Sequence, residues 1–94
     1  MADIDITILQ YALTLEHLED TFYRQALEQY SAEDFTSAGY DASVRERVQV
    51  ISSDEQSHVE FLSGALTAAG QTPTAACSYN FGYTDVKSFL ATSS

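Results

Sequence analysis

The residues that decide the fold are Val44-Arg45-Glu46-Arg47-Val48-Gln49-Val50-Ile51-Ser52-Ser53-Asp54-Glu55-Gln56-Ser57-His58-Val59-Glu60-Phe61-Leu62-Ser63-Gly64-Ala65. Alternating steps of four and three place Val44, Val48, Ile51, Glu55, His58, Leu62 and Ala65 on one face of a helix. Between Ala42 and Ala69 the only helix-weakening residue is Gly64. Gly70 stands where a left-handed C-cap belongs, and Pro73 follows three residues on. The spacing therefore predicts a helix over 42–69, about 40 Å long. Two ionisable side chains, Glu55 and His58, interrupt its apolar seam.

The preceding stretch carries a matching seam. Residues 6–30 contain neither Gly nor Pro and are rich in Leu, Ala, Glu and Gln, with Asp3 or Asp5 placed to cap the amino end. Leu9, Leu13, Glu16, Asp20, Tyr23, Leu27 and Tyr30 share one face, again apolar and again interrupted at its centre. Between the two helices, Ser31 with Glu33 and Asp34 can cap one extra helical turn that Gly39 stops. So short a link makes the long helices antiparallel neighbours and brings the polar interruptions level. Beyond Pro73 an irregular, aromatic segment over 70–83 carries Cys77, Tyr79, Phe81 and Tyr83. A short helix over 84–92 follows, with Thr84 as its expected cap and Val86, Phe89 and Leu90 on one side. It is expected either to cap the bundle or to reach across to another chain.

Composition bounds what such an αα-hairpin does. The 94 residues, 10.3 kDa, hold 4 Lys and Arg against 14 Asp and Glu, a formal net charge of -10. Nucleic acid and anionic membrane surfaces are repelled by such a chain. A hydrophobic share of 45% with 12% aromatics is too apolar for a disordered acidic tail. The single Cys77 forms no internal disulfide and offers no thiolate metal cluster, and it is expected to be a small buried hydrophobe. No window approaches the roughly 18 apolar residues of a membrane helix, so a soluble protein is expected. No signal peptide is legible, and Met1 fits both a natural start and one placed before a mature secreted protein; the compartment stays open. Two amphipathic helices and a short third bury little alone, which calls for a partner surface.

Burying a carboxylate without a partner costs several kcal/mol, so its place in an apolar seam asks for a cation. Glu55-Gln56-Ser57-His58 is a Glu-x-x-His spacing that turns both side chains toward one ion, and carboxylate plus imidazole suits iron, manganese or zinc. The motif is weak alone; its position on the seam, opposite Glu16, sharpens it. Glu19 is the alternative to Glu16, because Ile8, Ala12, Leu15, Glu19, Phe22 and Ala26 form an adjacent stripe. Glu16 is preferred because Tyr23, two turns on along the same face, can hydrogen-bond a ligand carboxylate. His17 lies about 100° round the helix from Glu16 and is read as solvated. Asp20 and Glu60 are assigned to solvated faces.

Leu15-Glu16-His17-Leu18-Glu19 with Tyr23, followed by Asp54-Glu55-Gln56-Ser57-His58, resembles the ferritin-like superfamily over about residues 6–69. Ala12-Leu13-Thr14-Leu15-Glu16 and Tyr79-Asn80-Phe81-Gly82-Tyr83-Thr84-Asp85-Val86 look most like fungal stress-response and desiccation-related proteins with a ferritin-like domain. The resemblance implies an all-α four-helix bundle around a carboxylate-bridged metal pair, with one Glu from each of two helices and a Glu-x-x-His from each of the other two. Glu16, Glu55 and His58 match the first-half ligands, and Tyr23 matches the tyrosine beside them. This chain holds half of that inventory. A homodimer pairing two hairpins around two metal ions, with six ligands in all, completes the set; a longer polypeptide is the other completion. Iron is the favoured metal, with manganese and zinc also compatible.

Three functions follow as expectations. The first is a di-iron carboxylate protein with ferroxidase or oxidative-stress chemistry. The second is a redox-silent metal-binding module for assembly or stress tolerance. The third is a metal-free helical domain in which Glu16, Glu55 and His58 form a buried polar network. Ligation needs neutral His58 and ionised carboxylates, so metal is expected to leave as pH falls through roughly 6 to 4.

Overall fold

A computed structural model describes residues 3–93, which form four helices: α1, Asp3–Gln29; α2, Ala32–Ser37; α3, Ala42–Ala68; and α4, Val86–Ser93. The expectations that fall on Met1 and on Ser94 lie outside the described residues. All regular structure among the described residues is helical.

Helix α1 already runs at Asp3, so Asp3 and Asp5 do not cap it from outside. They sit in its first turn, where their charge opposes the positive end of the helix dipole. Helix α2 is a single-turn element held by a capping box. The Ser31 hydroxyl accepts from the Asp34 amide and the Asp34 carboxylate accepts from the Ser31 amide. It also buries Phe35 completely. Gly39, at φ 95°, then turns the chain into α3. Asp41 caps α3 by accepting from the Ser43 amide, and the Ser43 hydroxyl together with that amide holds its carboxyl below the ordinary range. At the other end the Gln71 amide donates to the Leu66 carbonyl and the Gly70 amide to Thr67, with Gly70 at φ 77°. That is a Schellman closure.

Helices α1 and α3 pack side by side and antiparallel. Arg45, near the start of α3, donates to the Leu27 and Tyr30 carbonyls at the end of α1. Residues 70–85 then travel back along α1. Gln10 donates to the Thr72 carbonyl and accepts from the Thr74 amide, His17 Nε2 lies 2.9 Å from the Thr74 carbonyl, and the Tyr83 hydroxyl donates to the Phe22 carbonyl. His17 is therefore half-buried and fastened to this strap rather than solvated, because the strap covers the flank it occupies. The strap leaves the Cys77 side chain outside, so Cys77 is exposed and not a buried hydrophobe. Since Gln10 supplies two of the strap's bonds, Gln10→Ala is expected to cost about 1–2 kcal/mol. Hydrogen exchange of the Thr74 amide should accelerate while α3 keeps its protection.

The strap ends in α4. Its cap is Asp85 and not Thr84: the Asp85 carboxylate accepts from the Ser88 amide, and the Ser88 hydroxyl accepts from the Thr84 and Asp85 amides. Two cap-type residues stand in a row, and Ser88, three beyond Asp85, selects the second. Helix α4 packs back on its own hairpin. Val86 and Phe89 join Phe22, Ala26, Phe35 and Val48 in the core. Phe22 is its hub, with ring centroids 5.0–5.4 Å from Tyr23, Phe81, Tyr83 and Phe89. This cluster lies toward one end of a molecule 50 Å long; Leu13 and Leu66, in the other half of the hairpin, are fully buried as well.

Candidate metal centre

Midway along the hairpin, α1 presents Glu16 and α3 presents Glu55 and His58. His58 Nδ1 lies 3.4 Å from Glu16 Oε2 and 3.9 Å from Glu55 Oε2. One donor atom from each of the three falls within 4.8 Å of the others. The seam spacing on each helix brings this about. Glu55 and His58 are one turn apart on α3, and the antiparallel packing sets Glu16 level with them. The carboxylates are largely covered, with side chains 24% exposed for Glu16 and 15% for Glu55, whereas His58 is 57% exposed on the open side of the hairpin.

Glu16 Oε2 and Glu55 Oε2 are buried and without a hydrogen-bond partner. Unpartnered buried carboxylate oxygens are costly. The Glu55 carboxyl responds by rising from its ordinary 4.5 to about 8, first through burial and then through the neighbouring Glu16 and Glu19 carboxylates. Near neutrality it therefore keeps its proton in the metal-free protein. Proton competition with a cation consequently begins well above the interval from 6 to 4 expected from unperturbed groups.

The donor set fits a first-row metal. Two donors about 2.1 Å from one ion at tetrahedral angles stand about 3.4 Å apart. Glu16 and His58 already have that spacing, Glu55 stands 3.9 Å from His58, and one donor atom from each of the three lies within 4.8 Å of the others. Oxygen and nitrogen donors without thiolate are compatible with iron, manganese and zinc.

Glu19 is exposed and lies outside the three-residue group, yet it is close enough to Glu55 to raise its pKa. Tyr23 lines a groove beside the cluster with Leu18, Glu19, Phe22, Glu55 and Phe81, closed at one end by Thr92 and Ser93 of α4. Burial and the charges of Glu19 and Glu55 raise the Tyr23 pKa, so its phenol stays protonated and able to donate. Asp20, assigned from the sequence to a solvated face, is 14% exposed with Oδ1 buried and unpartnered; Arg24 lies 3.8 Å from its other oxygen. Its place on the α1 seam was the signal for that burial. Glu60 is exposed, as expected.

The sequence profile of the ferritin-like domain matches residues 4–94. The chain belongs to the ferritin-like family. It is 30% identical over 89 residues to Protein rds1 of the fission yeast Schizosaccharomyces pombe (strain 972 / ATCC 24843), an alignment covering 95% of this chain and 21% of that protein. The chain thus spans about a fifth of the length of that curated relative. A fungal relative agrees with the resemblance in the sequence. For a ferritin-like chain, Glu16 from one helix and Glu55 with His58 from its neighbour make half of the donor inventory of such bundles. No helix among the described residues is long and apolar enough to cross a membrane.

Proposed function

We propose that this ferritin-like domain binds divalent metal through Glu16, Glu55 and His58, with iron as the favoured ion and manganese or zinc as substitutes. The observation that carries this reading is the meeting of two buried, unpartnered carboxylate oxygens with an imidazole nitrogen at 3.4 and 3.9 Å. A cation resolves what the protein alone leaves costly. It takes the place of the Glu55 proton, balances the charges of Glu16 and Glu55, replaces the missing hydrogen bonds, and does so where the hairpin is open to solvent through His58.

Half a donor set holds an ion on one side only. In this reading a second copy supplies the other half, giving two ions and six protein donors per homodimer and a four-helix bundle of two half-domains. A carboxylate-held iron pair supplies redox chemistry toward oxygen or peroxide, and a ferroxidase or oxidative-stress role follows from it. The protein's own residues do three things there. Glu16 and Glu55 hold the charge, His58 supplies a neutral donor, and Tyr23 keeps a protonated phenol beside the carboxylates. The aromatic hub around Phe22 shields the groove behind them. The redox-silent reading, a zinc-holding assembly module, uses the same donors and differs only in turnover.

The test is metal titration by calorimetry with elemental analysis of the dialysed protein at pH 8. His58→Ala is expected to lower affinity at least tenfold and leave helicity by circular dichroism unchanged, since His58 is mostly exposed. Unaltered metal content in this variant would remove His58 from the site. Oxygen consumption by the iron-loaded wild type separates the redox reading from the silent one.

A further inference from the structure

The open side of the hairpin is apolar as well as acidic. Ile4, Ile8, Tyr11, Leu15 and Leu18 follow one another at helical spacing along α1, and all are exposed, Tyr11 by 66%. Phe61 of α3, 75% exposed, stands one helical turn beyond His58, whose side chain is 57% exposed. The stripe runs without a break into Phe22 and Ala26, which α4 and the strap cover. The fold therefore already packs a helix on the last third of this stripe. The remaining length, about 21 Å, is open.

Charge is distributed unevenly over the same length. Arg24, Arg45, Arg47 and Lys87 are the chain's only Lys and Arg residues. Arg45 is bonded to the end of α1, and Lys87 lies beside Gln29 and Tyr30 at that same end. The half with the open stripe has no Lys or Arg but holds Glu16, Glu19, Asp20, Asp54, Glu55 and Glu60. Two such faces repel each other. A strip about 21 Å by 10 Å has a footprint of roughly 200 Å², well short of the roughly 800 Å² per partner in a stable interface. Apolar contact alone is thus too small to hold two copies against that repulsion.

We infer that the stripe from Ile4 to Leu18, with Phe61, is the self-association surface of this chain, and that divalent metal in the Glu16, Glu55 and His58 cluster is what permits two copies to pair on it. The inference rests on the metal reading above and adds its regulation. Without the ion the carboxylates of two copies oppose one another at the centre of the face. With it, charge is neutralised there and donors from both copies share the ions, so the stripes meet.

The experiment is sedimentation velocity on the intact chain, with bound zinc measured in the same samples. In chelator a single species near 10.3 kDa is expected, and it should stay monomeric in chelator with 1 M NaCl. Two equivalents of zinc per pair should double the mass. Leu15→Glu is expected to remain monomeric and to bind zinc at least tenfold more weakly than wild type, because an ion that drives pairing must bind the pair more tightly than the lone chain. Zinc bound to a monomeric wild type would overturn the inference and leave the metal reading standing. Zinc neither bound nor pairing the chains would overturn both. A dimer in chelator, or one formed by NaCl alone, would show that metal does not gate the surface. Zinc-driven pairing of Leu15→Glu would show that the stripe is not the surface.

Discussion

Phe22→Ala is expected to lower the free energy of unfolding by about 3–5 kcal/mol. The ring is buried and touches Tyr23 of its own helix, Phe81 and Tyr83 of the strap, and Phe89 of α4. Truncation leaves a cavity where three separate segments converge, and it also forfeits the edge-to-face contacts. Domains commonly have only about 5–15 kcal/mol in total, so this loss is a large share of it. Urea denaturation followed by circular dichroism checks it. A midpoint shift worth less than about 1 kcal/mol would mean that α4 and the strap contribute little to the fold. The strap contacts should loosen first, so near-ultraviolet signals from Tyr79 and Tyr83 are expected to weaken in less urea than the far-ultraviolet helix signal.

Glu55→Gln is expected to act in opposite directions on the metal-free and metal-bound protein. In the folded state the Glu55 carboxyl is raised to about 8 from an ordinary 4.5. Between those values the folded chain holds a proton that the unfolded chain has lost, so the stability of the metal-free protein falls as pH rises through this window. Above about 8 the folded carboxyl is charged as well, and the cost is fully present. Glutamine keeps the shape and removes the charge. Its metal-free form should melt higher than wild type at pH 8.5 and nearly equal to it below pH 4.5. Each unit of the shift is worth about 1.4 kcal/mol. Each kcal/mol moves the melting temperature of a domain this size by about 4–8 °C, so a rise of at least several degrees is expected. Metal affinity, by contrast, should collapse, because an amide oxygen does not neutralise a cation. Thermal melts in chelator at both pH values, paired with metal titration, read the two effects separately. A variant that melts lower at pH 8.5 while still binding metal would contradict both halves.

The same logic gives the wild-type metal affinity its pH dependence. A cation must displace the Glu55 proton, so binding weakens as pH falls from about 8. Unperturbed carboxylates would place that loss several units lower.

Much of this was legible in the sequence because several signals coincided. For α3, the seam from Val44 to Ala65, the closure at Gly70 and Pro73 beyond it all mark one element, and it spans Ala42–Ala68; its cap, Asp41, went unread. The meeting of Glu16, Glu55 and His58 followed from two polar interruptions in apolar seams and a link too short for any but antiparallel packing. What escaped the sequence depends on the strap. Nothing periodic in residues 70–85 shows that they run along α1, so the half-burial of His17 and the exposure of Cys77 had no local signal. Asp20 was assigned to a solvated face although it stands on the α1 seam, and it is only 14% exposed. Thr84 and Asp85 are equal candidates for a cap until the Ser88 contacts are seen. The role of α4 was also hidden. Its apolar side announces that it packs, but not that it packs on Phe22 and leaves the stripe toward Ile4 uncovered.

The central claim is that Glu16, Glu55 and His58 bind one ion together, and the most direct measurement is an anomalous difference map from a zinc-loaded crystal recorded on both sides of the zinc absorption edge. The account predicts a peak about 2.0–2.2 Å from a carboxylate oxygen of Glu16, a carboxylate oxygen of Glu55 and Nδ1 of His58. A fully zinc-equilibrated crystal with no peak there, or with its strongest peak at other side chains, would contradict it.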